Sequence, residues 1–169
     1  MSRKIRVAGI INESIADGPG IRMVIFSQGC KHNCTGCHNP HTHSFEGGEL
    51  VEIDKIISDI KKNSLLDGVT LSGGDPFEQA EKFAILASEV KKIGMNVITY
   101  TGYTYEQLVG YSSVRKGYKD LLKNTDMLVD GLFIIEERNL LLKFRGSNNQ
   151  RIIDVRKSLE SNQVVLNVV

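Results

Sequence analysis

The chain has 169 residues, 41% hydrophobic and 24% charged, with a formal net charge of +1. That balance predicts one globular domain, residues 1–169, able to bury a core without staples. It gives no electrostatic basis for nucleic acid binding, no apolar run near the ~20 residues of a membrane span, and no secretory leader, so the expected location is cytoplasmic.

Residues 21–26, Ile-Arg-Met-Val-Ile-Phe, form a β-branched apolar run. They predict a strand that runs into Gly29-Cys30. Cys30, Cys34 and Cys37 follow it as C-x₃-C-x₂-C, and the chain has no other cysteine. Three thiolates on one short loop supply three metal ligands and leave one position without a thiolate. The odd count and a reducing cytosol argue against a disulfide scaffold. One reading is a Cys₃His zinc site completed by His32, His38, His41 or His43. The other, which the spacing favours, is a [4Fe–4S] cluster. Such a cluster normally takes four cysteines, so three leave one iron open for chemistry.

Further along, residues 52–62 place Ile53, Ile56, Ile57 and Ile60 at helical spacing. Residues 68–72 read as a short buried strand that breaks into Gly73-Gly74-Asp75-Pro76. Residues 77–93 predict a helix with Phe83, Leu86, Val90 and Ile93 on one face. Asp75 is its candidate N-cap, Pro76 its first residue and Gly94 its C′ residue. A strand over 96–100, helices over 104–109 and 114–123, and a strand over 127–130 follow. Residues 140–145 and 150–155 read as short strands or one long excursion.

Strands alternating with helices imply βαβ units and a parallel sheet. The chain is too short for an eight-unit barrel of ~250 residues. The expected fold is therefore α/β, a partial (β/α) barrel with a curved, mostly parallel sheet. In such sheets the loops at the carboxyl ends of strands carry the site. The cysteine loop and the Gly73-Gly74 turn both follow strands. Two residues without Cβ atoms let a ligand approach the backbone closely. Asp75 has a rival role as the helix cap.

These motifs carry a resemblance. The three-cysteine loop after an early strand, with Gly73-Gly74-Asp75-Pro76 after the next, resembles the radical S-adenosylmethionine superfamily. Asp17-Gly18-Pro19-Gly20-Ile21-Arg22 resembles its subset that activates glycyl radical enzymes. Thr99-Tyr100-Thr101-Gly102-Tyr103-Thr104, the segment 126–131 and Arg145-Gly146-Ser147-Asn148-Asn149-Gln150-Arg151 narrow this to the activating proteins of anaerobic ribonucleotide reductase.

The resemblance implies that Cys30, Cys34 and Cys37 hold a [4Fe–4S] cluster. It implies that Gly73, Gly74 and Asp75 bind the amino acid end of S-adenosylmethionine, with Gly36, Cys37 and His38 near the adenine. It implies a radical S-adenosylmethionine activase. The reaction is reductive cleavage of the cofactor to a 5′-deoxyadenosyl radical, which takes hydrogen from a glycine of the anaerobic ribonucleoside-triphosphate reductase. The implied partners are that reductase's large subunit and a low-potential electron donor of flavodoxin or ferredoxin type.

Two departures stand out. Gly36 occupies a position where the superfamily often has an aromatic residue, and Asp75 replaces the commoner Glu. Asp17 and Arg22 are expected near the channel for the partner's glycine, and the polar segment 145–151 at the docking rim. The alternatives are an activase of another glycyl radical enzyme, another small radical enzyme, and a zinc-stabilised binding module.

Overall fold

The computed structural model describes residues 3–37 and 40–167. The strands are β1 (Lys4–Ser14), β2 (Arg22–Ser27), β3 (Glu49–Glu52), β4 (Gly68–Gly73), β5 (Asn96–Tyr100), β6 (Met127–Asp130) and β7 (Arg151–Asp154). The helices are α1 (Ile53–Lys62), α2 (Ala80–Lys92), α3 (Tyr105–Tyr111), α4 (Tyr118–Lys123) and α5 (Val155–Ser161). The strands form one open seven-stranded sheet in the order β3-β1-β2-β4-β5-β6-β7.

The centre, β2-β4-β5-β6, is parallel. β1 runs antiparallel to β2 and β3, and β7 antiparallel to β6. Only three of the six pairings are thus parallel, which corrects the expectation of a mostly parallel sheet. The cause is the connections. A parallel pair needs a crossover, usually a helix. Residues 15–21 and 131–150 join β1 to β2 and β6 to β7 with no α-helix between them.

Side-chain alternation divides the sheet into two faces. Met23, Ile25, Val69, Leu71, Val97 and Leu128 join the main core with Ile56, Ile60, Phe83, Leu86, Val90, Leu108 and Leu121 from the helices. Residues between them point the other way. Ile98, Val129 and Ile152 form a second cluster with Tyr100, Met127 and Phe144, and no helix contributes to it. The helices therefore cover one face. The segment 131–150, which carries Phe144, reaches the other.

Local signals explain most boundaries. α1 buries the four isoleucines that its period selects. Asp75 caps a 3₁₀ turn, Pro76–Gln79, that leads into α2, and its side chain accepts from Phe77 N at 3.0 Å. Gly94 ends the helix with φ +91°. Thr104 and Gln107 form a reciprocal capping box on α3. α4 starts four residues later than its apolar pattern predicts. Gly117 interrupts it at φ +84°, where a Cβ would strike the backbone nitrogen of Glu81.

Candidate cluster and cofactor site

The cysteine loop leaves the carboxyl end of β2 and is fastened to the chain that returns to the sheet. Gly29 N donates to Thr42 O at 2.6 Å, and Cys30 N donates to His43 O at 3.2 Å. The Gly-Gly turn at the end of the adjacent β4 packs against the base of this loop. Gly74 N donates to Ser27 O at 2.8 Å, and Asp75 N to Gly29 O at 2.9 Å. A Cβ on Gly73, which sits at φ +99°, would strike Ser27 N, and one on Gly74 would strike Gly29 O. The two glycines are needed for loop packing before any ligand arrives.

A cleft of about 400 Å³ opens at this end of the sheet. Cys30, Cys34 and Cys37 line one side, Gly73 and Gly74 its floor, and Tyr100, Thr101 and Gly102 the continuation onto β5. Leu140, Leu142, Phe144 and Arg145 of the segment 131–150 form the far wall. The three cysteines are half-buried and outside any disulfide. Burial pushes the Cys30 thiol up to about 11, helped by the charge of Asp75 and opposed by backbone hydrogen bonds from His32 and Asn33. Burial likewise raises Cys34. Thiolates there need a cationic partner to persist.

That partner need not be a single ion. Three thiols lining one cleft are a donor set that suits a [4Fe–4S] cluster, each cysteine on a different iron.

Asp75 lies behind the cleft wall and is fully buried. Its Oδ1 accepts from Phe77 N at 3.0 Å and Thr101 Oγ1 at 3.0 Å. Its Oδ2 accepts from Thr101 Oγ1 at 2.9 Å and Gly102 N at 3.0 Å, and lies 2.6 Å from His32 Nε2. The cap role is realised, and the carboxylate has no oxygen left over. Burial opposes charge on His32. The hydrogen bond and charge of Asp75, with Glu78, outweigh it and hold the ring above its usual value. Lys31 turns to Glu78, 3.3 Å away.

The N-terminal motif divides. Asp17 lines the cleft and accepts from Ser14 Oγ at 2.6 Å. Burial chiefly, and then the charge of Asp17, push the Tyr100 phenol upward. Arg22 is buried beneath, bonded to Thr70 Oγ1 at 2.8 Å, Val69 O at 2.9 Å and Asn96 Oδ1 at 2.6 Å. Burial lowers its guanidinium to about 10. It ties β2, β4 and β5 together rather than facing a channel.

Residues 16–153 match the model of a family described as a 4Fe-4S single cluster domain. The anaerobic ribonucleoside-triphosphate reductase-activating protein of Vibrio cholerae is 38% identical over 82% of this chain and 90% of its own. The protein of the same name from Enterobacteria phage T4 is 33% identical over 80% and 85%, respectively. The chain belongs to this family of activating proteins. It therefore carries a 4Fe-4S domain. Among solved structures, QueE from Escherichia coli overlaps 60% of this chain and 54% of its own at 16% identity, with a TM-score of 0.48.

Of the residues singled out in this family member's sequence, the structure brings Cys30, Cys34, Cys37, Gly73 and Gly74 to one cleft. Asp75 stands just behind it. Gly36, at φ +75°, faces Ile135, whose Cδ1 would lie 2.7 Å from an added Cβ. His38 lies outside the described residues.

The polar segment 145–151 is largely used internally. Gln150 Oε1 accepts from Gly146 N and Ser147 N, its Nε2 donates to Gly131 O, and Asn149 Nδ2 donates to Leu132 O. Arg145 lines the cleft while donating to Gln150 O at 2.6 Å. Arg151 forks onto Asp130 and Glu106. The segment expected at the docking rim is thus a hydrogen-bonded turn, with Arg145 at the cleft and Arg151 paired to Asp130 and Glu106. Sequence reasoning did not find His32, Thr101 and Gly102 as partners of Asp75. Only the histidine's position between two cysteines could have suggested it.

Proposed function

We propose that this chain acts as a single radical S-adenosylmethionine domain that installs a glycyl radical on an anaerobic ribonucleoside-triphosphate reductase. The carrying observation is that the three cysteines and the Gly73-Gly74 turn open on one cleft, in a chain whose relatives are named as that reductase's activating proteins. Cys30, Cys34 and Cys37 would hold a [4Fe–4S] cluster. When bound, the cluster would supply one electron for cleavage of S-adenosylmethionine to methionine and a 5′-deoxyadenosyl radical, and one hydrogen atom passing from the partner's glycine to that radical would give 5′-deoxyadenosine and the glycyl radical.

The chain's own tasks are to bind, orient and exclude water. Gly73 and Gly74 would offer bare backbone to the amino acid end of the cofactor, and Gly36, Cys37 and His38 would flank its adenine. Asp75 would act there through its backbone and by fixing its neighbours, since its carboxylate is already saturated. Tyr100 and Asp17 line the cleft on the side of the N-terminal motif that Asp17 belongs to. The segment 131–150 would restrict water on the far side. A flavodoxin- or ferredoxin-type donor would supply the electron in the cytoplasm, and the reductase's large subunit would present its glycine loop to the cleft.

The test is anaerobic purification and reconstitution, followed by Cys30→Ala, Cys34→Ala and Cys37→Ala. The wild type should show the iron–sulfur absorption, release 5′-deoxyadenosine on reduction with S-adenosylmethionine, and raise a glycyl radical signal on the reductase. Each variant should lose all three. A colourless protein that binds stoichiometric zinc would overturn the proposal.

A further inference from the structure

The residues between the first two cysteines were chosen by nothing in the C-x₃-C pattern, yet one of them is held as firmly as a core side chain. The His32 side chain is 13% exposed, and its Nε2 lies 2.6 Å from Asp75 Oδ2. Its ring packs edge-on against Tyr103 at 4.7 Å. It lies across Gly102, where an added Cβ would come 2.5 Å from the imidazole Cδ2. Gly102 N and Thr101 Oγ1, from the segment after β5, converge on the same carboxylate at 3.0 Å and 2.9 Å. Three elements thus meet at Asp75: the cysteine loop, the turn after β4 and the turn after β5.

We infer that the His32–Asp75 pair is a latch that fixes the cysteine loop relative to the Gly73-Gly74 turn and the Thr101-Gly102 turn, and so sets the placement of S-adenosylmethionine against the cluster. This rests on the radical S-adenosylmethionine reading above. The physical argument is one of lever arms. The loop from Gly29 to Cys37 contains no regular secondary structure; its first residues are tied through Gly29 and Cys30, and Cys34 takes a backbone hydrogen bond from Phe133 on the far wall. Between these ties the buried His32 contact joins the stretch from Cys30 to Cys34 to Asp75, beside the floor that would receive the cofactor. A charged hydrogen bond to a buried carboxylate is directional and strong. Displacements of about 1 Å at a reacting centre cost on the order of a hundredfold in rate. His32 and Asp75 are positioning residues, for they act through the thiolates and the turn.

The experiment compares wild type, His32→Ala and His32→Gln as reconstituted, full-length holoprotein. Glutamine carries an Nε2 donor that can reach Asp75, and alanine carries none. In His32→Ala, iron should pass to a chelator about ten- to a hundredfold faster, the size of one lost charged hydrogen bond. The change that S-adenosylmethionine makes in the EPR spectrum of the reduced cluster should shrink or vanish, and kcat for its cleavage should fall more than KM rises. His32→Gln should recover most of each effect. Wild-type chelation rates and an unchanged cofactor-induced EPR shift in His32→Ala would overturn the latch and leave the functional reading standing. So would a glutamine variant no better than alanine, including one that fails to retain its cluster. A wild type that neither assembles the cluster nor cleaves S-adenosylmethionine would overturn the functional reading, and the latch with it.

Discussion

Gly74 sits where two backbones pass at closest approach. Its own φ is ordinary, so any residue could adopt the conformation there. Space is what fails, since a Cβ would strike Gly29 O and come within 2.9 Å of Thr42 O. Both atoms are backbone and cannot rotate away. Gly74→Ala is therefore expected to push the base of the cysteine loop outward, at a cost of about 1–3 kcal/mol for overpacking. The variant should lose iron per chain and thermal stability together, by iron assay and thermal melt. A variant that kept full cluster and stability but lost only cofactor affinity would mean that the glycine serves the ligand alone. Arg22 makes the same point with a charge. Its donors are spent on Thr70, Val69 and Asn96, so Arg22→Leu strands buried acceptors. It should lower stability by about 2–4 kcal/mol in denaturant titration, with loss of activity following from unfolding.

Elements are joined here by side chains the periodic pattern does not mark. Arg151 opens β7 and forks onto Asp130 at the end of β6, at 3.1 Å and 2.5 Å, and onto Glu106 in α3, at 2.6 Å and 3.2 Å. Asp130 is buried and also caps α3 by accepting from Tyr105 N at 2.8 Å. Removing the guanidinium leaves that carboxylate buried without its counter-ion, so Arg151→Ala should cost about 3 kcal/mol or more. The Glu106 side chain is 62% exposed, and Glu106→Ala should cost under about 1 kcal/mol. Urea melts of the two variants separate a structural clamp from a docking surface. Equal small losses, with weakened reductase binding for Arg151→Ala alone, would assign Arg151 to the docking rim instead.

The central strands, α1 and the cap before α2 were legible because hydrophobic period and capping chemistry are local. The strand β1 was missed although Ile5 and Val7 alternate as buried residues. Charged neighbours Lys4 and Arg6 hid that short stretch. The antiparallel edges were illegible because strand direction depends on how residues 15–21 and 131–150 route the chain. The internal bonding of residues 145–151 was hidden for a related reason, since polarity alone cannot say whether a donor faces solvent or a neighbouring carbonyl.

At the scale of the molecule, the core and the site occupy opposite faces of one sheet. The main apolar cluster lies between the helices and the strands and includes none of the cysteines. The cleft is walled by loops at the carboxyl ends of strands and by the segment 131–150. Small metal-nucleated domains unfold when the metal leaves because its ligation is their folding energy. Here the helix-covered face supplies a core of its own, so the cluster should stabilise the site without being required for the fold. Holoprotein treated anaerobically with chelator should keep its far-UV circular dichroism, while its melting temperature falls by the linkage between ligand binding and the native state. Hydrogen exchange should speed up in residues 29–37 and in the segment 131–150. Protection in α2, β4 and β5 should persist, because those amides belong to the helix-covered layer. Collapse of circular dichroism on chelation, with exchange accelerated uniformly across the sheet, would mean that the cluster nucleates the whole fold and that the two faces are not energetically separable.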